Sequence, residues 1–122
     1  MTQGTDQTSL HGAFAGADFY QQMALQTAVY PQKWQVVYPA LKLAGEAGEV
    51  AEKIGKALRD KEGVIDLELN QKLKLELGDV LWYVAVLARD LGWSMQDIMV
   101  ANIMKLAGRQ ERGTLHGAGD NR

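Results

Sequence analysis

The sequence predicts an all-α chain of four helices, packed as an antiparallel bundle. Three observations predict it. Apolar residues recur at i, i+3, i+4 and i+7 over three long segments, the pattern of helices with one buried face. Pro31, Pro39, Gly63 and Gly92 cut the chain into helix-length pieces joined by short connections, so neighbouring helices should run antiparallel. The alternation of a half-buried strand is confined to Gln35–Tyr38.

The elements follow in order. Residues 1–16 are polar and glycine-rich and are expected to form a mobile arm. One domain, residues 17–122, follows. Asp18 is the candidate N-cap of a first helix reaching Tyr30, where Pro31 stops it. The segment PQKWQVVYP is a loop. Its Trp34 and Tyr38 are expected to pack over the core, with stacking on a nucleobase as the alternative. Pro39 suits the first turn of a long second helix that ends about Asp60. Asp66 caps a third helix that reaches about Leu91 and closes at Gly92. Ser94 and Asp97 form a capping-box variant that starts a fourth helix, which fades near Gly108. The tail, from about residue 110 to 122, is polar and should be irregular.

Totals narrow the function. A chain of 122 residues, 47% of them hydrophobic, is one domain with enough apolar material for a core. There is no cysteine, which excludes disulfides and thiolate-bound zinc. The net charge of −2 gives no field that would draw in nucleic acid. No segment has the roughly 20 apolar residues of a membrane span, and no signal-peptide pattern opens the chain. A cytoplasmic location is expected. His11 and His116 are too isolated to make a histidine site.

Acid stands out inside the apolar runs. Glu46 and Glu49 lie three apart in LAGEAGEVAEKIGK, and Glu76 and Asp79 lie three apart in LELGDVLWYVAVLA. Leu43, Ala47, Val50 and Ile54 give the second helix its expected buried stripe. Leu73, Leu77, Val80, Val84 and Leu91 do so for the third. At about 100° per residue, Glu46 and Glu76 fall at the edges of those stripes, with Glu49 and Asp79 further round the same flanks. Two such helices side by side would line one cleft with four carboxylates. Clustered carboxylates repel one another and lose hydration, so a cation or the lysines at 53, 56, 72 and 74 must neutralise them. Hard oxygen ligands match Mg²⁺, Mn²⁺ or Ca²⁺, and Mg²⁺ usually keeps waters and gains phosphate oxygens from a substrate. Glu52 falls on the opposite face and should be solvated.

The fourth helix carries Asn102, Lys105 and Arg109 along one flank of a Met99, Ile103, Leu106 stripe, and Arg112 follows. These groups either bind a polyphosphate beside the acids or complement the helix dipole. Trp82 falls on the far side of the third helix and reads as part of a subunit interface, while Trp93 reads as core. Four helices with long apolar runs in so small a chain favour an oligomer.

In these residues the chain resembles the MazG-like all-α nucleoside triphosphate pyrophosphohydrolases. The family pattern is Glu-x-x-Glu, a spacer, then Glu-x-x-Asp. Here Glu46 and Glu49 are followed, after 26 residues, by Glu76 and Asp79. GEAGEVAEKI, ELGDVLWYV and ANIMKLAGRQERGTLHGAGDNR resemble the family's three motifs in order, over residues 17–122. The resemblance implies a MazG-like bundle assembled as a homodimer or homotetramer. It also implies cleavage of nucleoside triphosphates between the α and β phosphates, and Mg²⁺, replaceable by Mn²⁺, held by Glu46, Glu49, Glu76 and Asp79. Glu49 or Glu46 would take a proton from the attacking water. Lys53, Asn102, Lys105, Arg109 and Arg112 would bind the triphosphate. Some members carry a further glutamate where this chain has Gly45, so the ion count per site is open. A purine deoxynucleotide such as dGTP is the favoured substrate. Two rivals remain: a helical interaction module without activity, and a pyrophosphohydrolase for a specialised nucleotide such as phosphoribosyl-ATP. A di-iron bundle would need Glu-x-x-His motifs, and the sequence has none.

Overall fold

The computed structural model describes residues 16–120, so the expected N-terminal arm, with His11, lies outside the described residues except for Gly16. Four helices are described: α1 (Ala17–Leu25), α2 (Val37–Lys61), α3 (Leu67–Asp90) and α4 (Met95–Glu111), with a 3₁₀ turn at Gln32–Trp34. No strand occurs among the described residues. No helix there is long and apolar enough to cross a membrane.

Side-chain caps start two of the four helices, α3 and α4. Asp66 Oδ1 accepts from the Leu69 N–H at 2.8 Å and starts α3. Ser94 and Asp97 close a reciprocal capping box on α4. Asp18 is the exception. It lies within α1, whose cap is Gly16, and its carboxylate accepts instead from the Gln96 N–H at 2.9 Å. It therefore caps α4, 78 residues away in sequence.

Two helix ends differ from expectation. α1 stops at Leu25 rather than Tyr30. The Ala24 carbonyl accepts from the Thr27 N–H, the Thr27 hydroxyl and the Trp82 indole N–H. Those bonds close the last turn and turn the chain away before Pro31 is reached. α4 passes Gly108 and ends at Glu111, ahead of Gly113 at φ 69°.

α2 and α3 form an antiparallel hairpin, the largest helix pairing in the fold. Lys61 meets Asp66 near the connection, Lys53 meets Glu76 midway, and Val36 meets Asp90 at the open end. The less exposed positions on α2 are Pro39, Leu43, Glu46, Val50, Lys53, Ile54 and Ala57, and those on α3 include Leu69, Leu73, Glu76, Val80, Tyr83 and Val84. The expected stripes need correcting. Ala47 and Leu91 are exposed, and Leu77 is 57% exposed. Each helix has two apolar faces, and periodicity alone averages them, so the glutamates lie within the seam and not at its edge. The second face of α2, Val37, Leu41, Ala44, Gly48, Ala51, Gly55 and Leu58, is exposed, with open space around Gly45, Gly48 and Gly55.

The core lies where α1, α3 and α4 meet. Ala24, Ala85 and Met95 are its buried members, with Tyr20, Trp82 and Val84 packed on them. Gln21 is buried there as a three-way tie. Its Nε2 donates to the Ala85 and Trp93 carbonyls, each at 3.1 Å, and its Oε1 accepts from the Met95 N–H at 3.2 Å. Trp82 and Trp93 exchange their expected roles: Trp82 is half-buried against the core, and Trp93 is 55% exposed. Met99, Ile103 and Leu106 are exposed, whereas the start of α4 is anchored by Gln21 and Asp18.

The loop before α2 is fastened by one carboxylate. Asp90 accepts from the Tyr30 hydroxyl at 2.6 Å, the Val36 N–H at 2.9 Å and the Arg89 Nε–H at 2.9 Å, and its side chain is wholly buried. Val36 sits at φ 67°, ψ −56°, and the Val37 N–H donates to the Gln35 carbonyl at 2.7 Å. This is a γ-turn of the strained hand, and a β-branched residue there costs about 1–3 kcal/mol. The bonds to Asp90 oppose that strain. Against expectation, Tyr38 lies in the first turn of α2 and is 38% exposed, stacking on Tyr30 at 5.2 Å, and Trp34 is exposed beside Lys33.

Burial alone would raise the Asp90 carboxyl, but its three donors together hold it below the usual carboxylate value. Its contribution is therefore full above about pH 4 and is lost as pH falls through the depressed folded value. Asp90→Ala is expected to cost on the order of 3 kcal/mol at neutral pH in urea unfolding. The wild-type and variant stabilities should converge in acid.

Candidate metal and phosphate site

Three of the four seam-side acids converge. Oxygens of Glu46, Glu76 and Asp79 lie within 4.8 Å of one another. α2 supplies Glu46 from the middle of its contact stripe, and α3 supplies Glu76 and Asp79 one turn apart. Glu49, one turn beyond Glu46, is outside this cluster. Its carboxylate is 56% exposed and 3.8 Å from Lys53 Nζ.

Lys53 is the resident counter-charge. Its Nζ is 2.8 Å from Glu76 Oε1, and both side chains are mostly covered. The hydrogen bond to Glu76 raises the lysine above its ordinary value against a smaller opposing effect of burial, so the ammonium stays charged at neutral pH. The other lysines do not pin the cluster: Lys56 pairs with Glu52, and Lys72 with Glu68. Among the described residues no lysine or arginine is paired with Glu46 or Asp79. Three carboxylates and one ammonium leave two negative charges, which suits a divalent cation with hard oxygen ligands.

Tyrosines border the acids. Tyr83 is pushed up to about 12 by burial, by its hydrogen bond with Tyr38 and by the nearby Glu46 and Asp79 charges. Tyr20 is raised by burial and by Asp79. Both stay neutral at physiological pH. An open cleft of about 330 Å³ is lined by Thr27, Glu46, Asp79, Trp82 and Tyr83. On the other side of Lys53, a second cleft of about 320 Å³ is lined by Lys53, Lys56, Lys61 and Lys72 among others.

The basic residues of α4 are placed differently from the acids. Asn102 and Lys105 lie on an exposed stretch of the helix, and Lys105 Nζ is 3.6 Å from Asp120. Arg109 is 4% exposed, and its Nη2 donates to the Gly119 carbonyl at 3.3 Å and to Asp120 at 3.2 Å. Arg112 is exposed, folded back beside Gly108. Within one chain the fold gathers Glu46, Glu76, Asp79 and Lys53, with Glu49 alongside, and shows no contact of these α4 groups with them. Sequence reasoning missed Thr27 at the cleft and gave Trp82 to an interface. Trp82 follows Asp79 by three residues and so shares its side of α3, which was the available signal.

Residues 39–114 match the family model of the MazG nucleotide pyrophosphohydrolase domain. The matched span takes in α2, α3 and α4 and leaves out α1. The gene 37 protein of Mycobacterium phage L5 is 45% identical over 111 residues, which cover 86% of this chain and 97% of that protein. No solved structure matches the chain.

Repulsion within the cluster sets opposite signs for two conservative substitutions. In a chelator, Asp79→Asn is expected to stabilise the protein by about 1 kcal/mol, because it removes one of three crowded charges. Glu76→Gln should destabilise it, because it strips Lys53 of its partner. Thermal unfolding of the two variants checks the signs.

Proposed function

This chain belongs to the MazG nucleotide pyrophosphohydrolase domain family, and we propose that it hydrolyses nucleoside triphosphates between the α and β phosphates, releasing a nucleoside monophosphate and pyrophosphate. The observation that carries this reading is the convergence of Glu46, Glu76 and Asp79 beside Lys53. Three acids gathered in a packing seam are unfavourable for folding alone, and a divalent cation with a polyphosphate gives them a use.

Glu46, Glu76 and Asp79 would hold Mg²⁺ or Mn²⁺, and Glu49, one helical turn from Glu46, would be the fourth acid beside it. When bound, the ion offsets phosphate charge and makes a nearby water more acidic. Glu49 is exposed and only loosely paired, so its carboxylate is free to accept the proton of the attacking water; Glu46 is the second candidate. The water oxygen bonds to the α-phosphorus, and the bond from that phosphorus to the α–β bridging oxygen breaks. The electron pair leaves with pyrophosphate, whose added charge Lys53 stabilises.

A homodimer or homotetramer completes the site. Val100, Ile103 and Met104 on α4 and Leu41 and Leu58 on α2 are exposed in one chain, and a second copy covers them. In that assembly Asn102, Lys105 and Arg112 reach the phosphate chain. Arg109 joins them when Asp120 releases it. The substrate is a purine deoxynucleotide such as dGTP.

Incubation with each NTP and dNTP, with Mg²⁺ or Mn²⁺, is expected to yield equimolar monophosphate and pyrophosphate, dGTP fastest. Phosphate instead of pyrophosphate, or turnover of phosphoribosyl-ATP alone, would overturn the assignment, and no turnover of any nucleotide would leave an interaction module. Glu49→Gln and Asp79→Asn should each slow the reaction by orders of magnitude with helical circular dichroism unchanged. The melting temperature should rise with protein concentration, as it does when folding and assembly are linked.

A further inference from the structure

We propose that the cleft between Thr27, Trp82 and Tyr83 is the nucleoside subsite, with the Trp82 indole as the platform on which the base stacks; this rests on the pyrophosphohydrolase reading above. Glu46 and Asp79 line the same cleft, so its occupant lies directly against the acidic cluster. A nucleoside triphosphate needs that adjacency, because one sugar separates its base from the α-phosphate. The cleft volume of about 330 Å³ falls in the range of small-ligand sites.

The two sides of the cluster differ in character, and the difference orients the substrate. Toward the hairpin connection the lining is charged, with Lys53, Lys56, Lys61 and Lys72 standing among Asp60, Asp66 and Glu68. Toward α1 it is aromatic and hydroxylic. The base therefore lies on the tryptophan side, and the departing pyrophosphate toward Lys53.

Trp82 is fixed before any ligand arrives. Its Nε1–H donates to the Thr27 hydroxyl oxygen at 2.8 Å and to the Ala24 carbonyl at 3.1 Å, and its ring meets Tyr83 edge-on at 4.8 Å. A ring locked in this way loses little freedom when a base settles on it. Stacking tolerates any base but grows with ring area, so the subsite favours purines over pyrimidines. Thr27 Oγ1 donates to Ala24 and accepts from Trp82, which leaves one lone pair for an N–H on the base or a hydroxyl on the sugar.

The test compares wild type with Trp82→Ala, Trp82→Phe and Trp82→Leu, using dGTP and dCTP as substrates and inorganic tripolyphosphate, which has no nucleoside, as inhibitor. Trp82→Ala is expected to raise KM for dGTP by about tenfold to a hundredfold and to erase the preference over dCTP, with the tripolyphosphate inhibition constant unchanged. Trp82→Phe should keep most of the affinity. An unchanged KM, or a KM and an inhibition constant that rise together, would overturn the subsite. If Trp82→Ala does not fold, the Phe and Leu variants decide, since both lack the indole N–H and only one is aromatic: equal KM values overturn the proposal. A wild-type protein that releases no pyrophosphate from any nucleotide sinks the enzymatic reading and the subsite with it, whereas normal wild-type turnover with indifferent variants sinks the subsite alone.

Discussion

Lys53 and Glu76 meet at 2.8 Å in the middle of the seam between α2 and α3, at positions where a hairpin of this kind would ordinarily place leucine. A partly covered ion pair is a poor source of stability, because desolvation offsets most of the attraction. Its effect here is to let acids occupy packing positions at all. Glu46 shares the seam and Asp79 adjoins it. Without the ammonium, three carboxylates would confront one another across the helix contact. With it, the hairpin closes and the remaining negative charge faces an open cleft.

That use of the seam limits what else the chain can bury. Its core is small, with Ala24, Ala85 and Met95 at the centre and a glutamine tying three helices together. Many large apolar side chains are left outside, on the second face of α2 and along α4. The fold therefore separates two tasks. Packing inside one chain sets the relative position of α2 and α3, and hence of the acids. Packing against another copy, in our reading, covers the rest.

Much of this was legible in the sequence, and the parts that were not share a physical reason. Asp66, Ser94 and Asp97 announced their helices because capping is local chemistry. The convergence of Glu46, Glu76 and Asp79 was legible from spacing and from the resemblance together. The buried stripes were right at Leu43, Val50, Ile54, Leu73, Val80 and Val84 and wrong at Ala47, Leu77 and Leu91, because α2 and α3 each have two apolar faces, and no count within one helix says which face meets which neighbour. Asp18 was assigned to its own helix, since nothing local reveals that α4 starts beside it. Trp82 was assigned to an interface because the bonds that hold it, to Ala24 and Thr27, span more than fifty residues. Arg109 was grouped with Asn102 and Lys105 on one flank of α4, and the Gly119 and Asp120 it donates to lie in a tail with no periodic signal.

The glycines on the outer side of α2 carry a consequence for how the chain is made. Gly45, Gly48 and Gly55 each weaken an isolated helix by about 1 kcal/mol relative to alanine. α2 is thus poorly suited to stand alone, yet it leaves the ribosome before α3, which follows a few seconds later at ordinary synthesis rates. During that interval the segment bearing Glu46 and Glu49 has no template to fold upon. Its helix is acquired by docking and not by inheritance from local preference, so the geometry of the acids is born together with the hairpin.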